Sequence, residues 1–222
     1  MNRTAASALC LVLLLSAAAC SRGEAVPKAL RAHLAALQSG RYDAAFRMTQ
    51  LDDNASFFGP GASLSREHFE AFFKANPLRS YEILEVVRLE QRTIEAPTEK
   101  GSARFEVEAK LHYEDDSVVR QHYSIVGEVV PTVEVEPTLV SVRDARGAPD
   151  RDVVLVDGVQ TKVVTRDDAP FANVFTLLVL PGRHRVSVAG RELEIRTEPL
   201  RVLSGSATVA DGPGGGKILE IV

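Results

Sequence analysis

Residues able to do covalent or ligand chemistry are few in this chain, and they are scattered. There are two cysteines, Cys10 and Cys20, and five histidines, His33, His68, His112, His122 and His184. Metal-binding helices carry ligands four apart, as in H-x-x-x-H or H-E-x-x-H, because such residues share a face. No two of these histidines have that spacing. His112 and His122 fall opposite cations on a solvated strand face, and His184 stands between Arg183 and Arg185. All three read as surface histidines, with no metal site. The nucleophile signatures G-x-S-x-G and S-x-x-K are missing. Asp211 to Lys217 (DGPGGGK) has the composition of a phosphate loop. However, Asp211 occupies the first glycine position, Ile218 the final Ser/Thr position, and a strand follows where a helix start is needed. It reads as a hairpin loop. No catalytic residue, cofactor or metal ligand is assigned, and no enzyme is expected.

Cys20 is the exception. A cationic start at Arg3 leads into the apolar run Ala8 to Leu15, then Ser16-Ala17-Ala18-Ala19-Cys20. The run is too short to span a bilayer, which takes about 20 apolar residues. A charged start, a short apolar stretch and small residues before a cut site make a secretory leader. Small residues ending at a cysteine resemble the lipobox of bacterial lipoproteins, although Ala17 stands where Leu is usual, and Ala17-x-Ala19 also suits ordinary signal peptidase, which would leave a soluble protein with a free Cys20. The resemblance implies removal of residues 1–19, lipidation of Cys20, and a tether over residues 20–26. Ser21 after the cysteine implies the outer membrane where the cell has one. Six extended residues, Ser21 to Val26, reach about 20 Å. Beyond that anchor the chain has no cysteine, so neither a disulfide nor a thiolate zinc site holds it together.

The elements that follow alternate between two periods. Pro27 opens a helix whose Leu30, Leu34 and Leu37 make one apolar stripe, and Gly40 stops it. A second helical stretch runs from Tyr42 to Leu51. Phe57-Phe58-Gly59-Pro60-Gly61 is a loop, and its two aromatic side chains suit either the mouth of a core or a membrane contact. Ser65 caps a third helix with Phe69, Phe72 and Phe73 inward, and Asn76-Pro77 ends it. Tyr81 to Ile94 reads as a strand. From Ala103 to Tyr113, apolar and polar residues alternate strictly, the mark of a half-buried strand. A three-residue turn, Asp115-Asp116-Ser117, sets Tyr113 against Val119, Ala109 against Tyr123, Val107 against Ile125 and His112 against Arg120.

Helices followed by antiparallel strands predict an α+β fold. Ala32 to Phe46 (AHLAALQSGRYDAAF) resembles the opening of NTF2-like domains of envelope proteins, in which three helices lie on a curved, cone-shaped sheet. The resemblance covers residues 27–130. It implies a ligand pocket in the cone, lined here by Phe105, Val107, Leu111, Tyr113 and Tyr123, and a homodimer through the sheet. Enzymes of that group hold a buried carboxylate base, but this strand offers no inward acid. Asp43, Asp52 and Asp53 read as caps and solvated surface.

Pro131-Thr132 and Pro137 mark a boundary. Residues 131–222 have Val-rich strands and turn signals at Asp157-Gly158, Pro181-Gly182, Ala189-Gly190 and Ser204-Gly205. Such spacing predicts a β-sandwich. Val153 to Gly158 and Leu180 to Val188 resemble the hairpins of PEGA-like modules of bacterial surface proteins, which act as spacers or binding platforms.

Composition fits a globular chain with a real core, at 45% apolar and 25% charged residues. The net charge is −4 and no Lys/Arg block stands out, which speaks against a nucleic-acid surface. The chain is therefore expected to be a non-enzymatic, lipid-anchored envelope protein. Its expected partners are the membrane, through the anchor, and envelope proteins or cell-wall polymer. The alternative is a carrier or enzyme using the first unit's interior for a small apolar ligand.

Overall fold

The computed structural model describes residues 27–49, 64–90, 103–126, 132–144, 154–161, 164–166, 174–212 and 216–222. Helix α1 (Lys28–Gln38) buries Leu30, His33, Leu34, Ala36 and Leu37 on one face. It ends in a Schellman motif: Gly40 is left-handed at φ +71°, its N–H donates to Leu37 O, and Arg41 N–H donates to Ala36 O at 2.9 Å. Helix α2 is a single short piece, Tyr42–Phe46, about half the length its sequence pattern suggests. In helix α3 (Arg66–Ala75) the Ser65 hydroxyl accepts from His68 N–H, and Phe69, Phe72 and Phe73 are buried.

These helices cover a four-stranded antiparallel meander, β1 (Leu78–Glu90), β2 (Ala103–Tyr113), β3 (Val118–Val126) and β4 (Thr132–Val135). The β2–β3 register departs from the sequence reading. Leu111 pairs with Val119, Val107 with Tyr123 and Arg104 with Val126. The turn is Glu114-Asp115-Asp116, one residue earlier than expected. Asp116 takes the left-handed position at φ +62°, and Asp115 Oδ1 accepts from Ser117 N–H at 2.9 Å. The net shift is two residues, so every side chain keeps its face. His122 consequently pairs with Glu108 and bonds Glu106 at 2.7 Å, while His112 pairs with Val118. Strand β4 lies past the boundary expected at 131, and Val133 N–H donates to Met48 O at 2.8 Å.

The remaining ten strands form two five-stranded sheets. One has the order β12 (Leu200–Ser204), β11 (Arg191–Thr197), β10 (Arg183–Val188), β6 (Val154–Val156) and β7 (Val159–Gln160). The other has the order β13 (Ala207–Asp211), β14 (Lys217–Ile221), β5 (Thr138–Asp144), β9 (Val174–Val179) and β8 (Val164–Arg166). Among the described strands of these two sheets, β14 and β5 pair in parallel and the other neighbours antiparallel. Both sheets contribute to one core, which includes Val142, Phe175 and Leu177 from one, and Val156, Val186 and Ile195 from the other. Asp211 and Lys217, the two ends of the DGPGGGK segment, face each other across the antiparallel β13–β14 pair and form an ion pair.

The α+β expectation, with a three-helix cone, does not hold. Among the described residues strands account for 59% and helices for 19%, and the fold is β-rich with three sheets. The physical reason is that helical periodicity is confined to two short windows, whereas period-two patterning continues from Leu78 almost to the last residue. The space between the helices and the first sheet is filled by Leu30, Leu34, Phe69 and Phe72, each at most 1% exposed.

His33 lies inside this first core, its ring facing Phe69 and Tyr123 and its Nδ1–H reaching Ala45 O at 3.2 Å. Burial lowers its pKa to about 4, against a smaller opposing effect of that hydrogen bond. Between about pH 6.5 and about 4 the unfolded chain binds a proton that the folded chain refuses. Stability therefore falls as pH falls through that window, by about 3 kcal/mol in all. Urea midpoints measured from pH 7 to 4.5 should drop steeply for wild type and more gently for His33→Asn, which keeps a donor but cannot titrate. Parallel curves would refute this role for His33.

Candidate functional site

The two cores meet at one ring. Phe72 of α3 stacks on His184 of β10 at 4.9 Å with an interplanar angle of 29°. It also sits over Gly182, where a Cβ would lie only 2.7 Å from the ring, and Gly182 has φ +153°. Gly182 immediately precedes β10 and His184 is its second residue, at the short connection from β9. Leu178 and Leu180, from the second half of the chain, are buried within the first core.

His184 is 2% exposed, so the surface reading of this residue is corrected. The alternation that puts Val186 and Val188 inward puts His184 inward too. Its Nδ1 faces Asp157 Oδ2 at 2.6 Å, and its Nε2 faces Leu180 O at 2.6 Å. Each ring nitrogen therefore faces an acceptor oxygen, one a carboxylate and one a backbone carbonyl. Asp157 is held in place by the turn that carries it. Asp157 and Gly158 both have positive φ, the two-residue Asp-Gly turn of a tight hairpin, and Asp157 Oδ1 accepts from Arg185 N–H at 2.9 Å.

Further bonds cross the same seam. Asn76 Nδ2 donates to Phe72 O and to Arg183 O, each at 3.0 Å. His68 Nε2 meets Thr161 Oγ1 at 2.8 Å, and its Nδ1 meets Ser65 Oγ at 2.8 Å. Burial lowers the His68 pKa, outweighing the charges of Asp157 and Glu67. Arg183 bonds Glu194 at 2.7 Å and reaches Asp115 at 3.6 Å. Burial works against the Asp115 carboxylate, but hydrogen bonds from Ser117 and the charge of Arg183 outweigh it and hold its pKa low.

Above the seam opens a cleft of about 880 Å³. The end of α3, at Ala75 and Asn76, and the β2–β3 turn form one wall, and the outer face of the β6-β10-β11 sheet forms the floor. Its size and its place between two packed units suit a ligand site. Within it, both nitrogens of His184 face acceptor oxygens, and Asp157 is already accepting on both of its own. A second, smaller hollow of about 280 Å³ lies by Glu136 and Glu198. Burial, then the charge of Glu136, raises the Glu198 pKa. Among the described residues no three His, Cys, Asp or Glu side chains converge as metal ligands.

The residues expected to line a pocket lie elsewhere. Val107, Leu111, Tyr113 and Tyr123 are brought together, each at most 1% exposed, but as packed core. Burial pushes both tyrosine hydroxyls up in pKa. Phe105 is partly buried at the edge of that core, with the Arg88 guanidinium 5.9 Å from its ring centre. Asp43 pairs with Arg47 and Arg66 at the surface. Cys20, Asp52, Asp53 and the Phe57-Phe58 loop lie outside the described residues. Sequence reading missed His184, Asp157 and the contact of Phe72 with Gly182. No helix among the described residues is long and apolar enough to cross a membrane. No protein-family model, curated protein or solved structure matches the chain.

Two outcomes follow from the seam. In a double-mutant cycle, His184→Ala and Asp157→Asn should show a coupling of about 1–3 kcal/mol in unfolding free energy; strict additivity would mean the pair is not coupled. Gly182→Ala should cost at least about 2 kcal/mol, and less in a Phe72→Leu background, which gives the new methyl room. An unchanged denaturation midpoint for Gly182→Ala would contradict the close contact.

Proposed function

We propose that this chain is a non-enzymatic, lipid-anchored envelope protein that holds a binding module a short distance from a membrane. The observation that carries the proposal is the sequence around Cys20: a cationic start, a short apolar run, and small residues directly before a thiol. The reading has residues 1–19 removed and Cys20 acylated. Multiple acyl chains are required, because one chain binds a bilayer only marginally at about 0.8 kcal/mol per buried CH₂. Residues 21–26 then act as the tether.

Two features support a binding role over a purely structural one. The two five-stranded sheets that share a core are read as a β-sandwich of PEGA-like character, a platform rather than a catalyst. The cleft at its junction with the helical unit presents charged side chains on a fixed floor. The partners proposed are the membrane, through the anchor, and envelope proteins or the peptide portions of cell-wall polymer, through the cleft. With no Lys/Arg block in the sequence, nucleic acid is not among them.

Intact mass of the membrane-extracted protein, wild type beside Cys20→Ala, tests the anchor. The wild type should begin at Cys20, carry acyl groups and sediment with membranes. Cys20→Ala should lose the acyl mass. A soluble wild-type product with unmodified Cys20, or one retaining its first nineteen residues, would rule the proposal out.

A further inference from the structure

The floor of the cleft has a charge pattern that the protein leaves unfinished. Across β6, β10 and β11, Leu155, Ser187 and Glu192 form one row on the outer face of the sheet. Arg185 and Glu194 form the next. Glu194 is taken by Arg183, which also leans toward Asp115. Asp157 is taken by His184 and by the Arg185 N–H. The side chains of Arg185 and Glu192 are left exposed, with no ion-pair partner among the described residues. They do not pair with each other, although they are diagonal neighbours about 7–8 Å apart on a strand ladder.

A cation and an anion at that spacing match a molecule with opposite charges at its own two ends. Two extended residues span about 7 Å, so a dipeptide with free termini fits, whereas a single amino acid is too short to reach both. Leu155, 36% exposed, adds an apolar patch beside the row. We propose that the cleft binds a short zwitterionic peptide, its carboxylate on Arg185, its ammonium on Glu192 and an apolar side chain over Leu155. This deepens the binding-module reading and rests on it. The pairs beneath the floor serve the site by holding it still: Arg183 cannot swing to neutralise Glu192, and Asp157 cannot swing to neutralise the Arg185 guanidinium.

The test uses the full chain in detergent at low ionic strength, with Leu-Ala as probe, followed by calorimetry or by the probe's own NMR signals. Leu-Ala should bind with Kd on the order of 0.1–1 mM, as suits an exposed charged site. N-acetyl-Leu-Ala and Leu-Ala amide, each lacking one terminal charge, should bind about tenfold more weakly. Arg185→Gln should reduce binding of Leu-Ala about tenfold while leaving Leu-Ala amide unaffected, and Glu192→Gln should do the same relative to the N-acetyl form. Urea midpoints of both variants should match wild type, which separates lost binding from lost fold. Equal binding of capped and free peptides, or no binding of Leu-Ala at several millimolar, would overturn the proposal. The anchor is judged by the mass at Cys20, so an empty cleft and a missing anchor are separate results.

Discussion

Phe72 belongs to two cores at once, and the arrangement of the molecule depends on that. On one side it packs with Phe73 and Tyr113, edge to face. On the other it covers Gly182 and stacks on His184. Aromatic contacts of this kind are directional, each worth about 0.5–1.5 kcal/mol beyond the area they bury. A ring held from both sides fixes the angle between the helical unit and the sheets. The cleft exists only because that angle is fixed, since one wall comes from each unit.

The seam also answers a question of stability. No disulfide and no metal site is present among the described residues, so the fold relies on packing and hydrogen bonds. A small helical layer over four strands is a thin core when taken alone, and the helices are short. Leu178 and Leu180 enlarge it from the far side, and the His184–Asp157 pair ties the turn of β6–β7 to the strand beneath the ring. Buried ion pairs contribute little net stability over an apolar substitute, but removing one partner costs several kcal/mol because the other is stranded. The pair therefore acts less as glue than as a constraint on geometry. Alternatives in which the β6–β7 turn leaves β10 would strand Asp157 or His184 without its partner.

Much of this was legible in the sequence, and the misses have physical causes. Helix stripes, caps and the strict alternation of β2 are local, so they could be read directly. The tight turns at Asp157-Gly158 and Ala189-Gly190 follow from glycine and positive φ, and both close hairpins. The β2–β3 turn is displaced because Asp115 and Asp116 are both good turn formers; Asp116 takes the left-handed position, the turn closes one residue earlier, and pairing moves by two. Two buried histidines were within reach of the same rules. His33 stands three residues after Leu30 and next to Leu34, on the stripe, and His184 alternates with Val186. What could not be read is the meeting of Asp157 with His184, or of Phe72 with Gly182, because nothing in local periodicity reports a contact between distant segments. The fold class was misjudged for a related reason. A recognisable helical opening outweighed a long stretch of less distinctive strands.

The neutralisation pattern around the cleft then separates structure from function. Charged side chains at a fold's own joints are expected to find partners, because leaving one desolvated costs more than pairing it returns. Arg183, Glu194, Asp115, His184 and Asp157 all obey this, and each links two elements. Arg185 and Glu192 do not: among the described residues neither has an ion-pair partner, and they do not pair with each other although the strand ladder makes them diagonal neighbours. Solvent alone can satisfy such residues, so exposure by itself signifies nothing. Here, however, they share the floor of a concave site whose walls are rigid, beside Leu155, an exposed apolar residue. Pre-set geometry lowers the ordering cost a ligand must meet on binding. The joints that make the molecule rigid are thus also what keep an opposed pair of charges available, and only a partner bearing both charges can complete them.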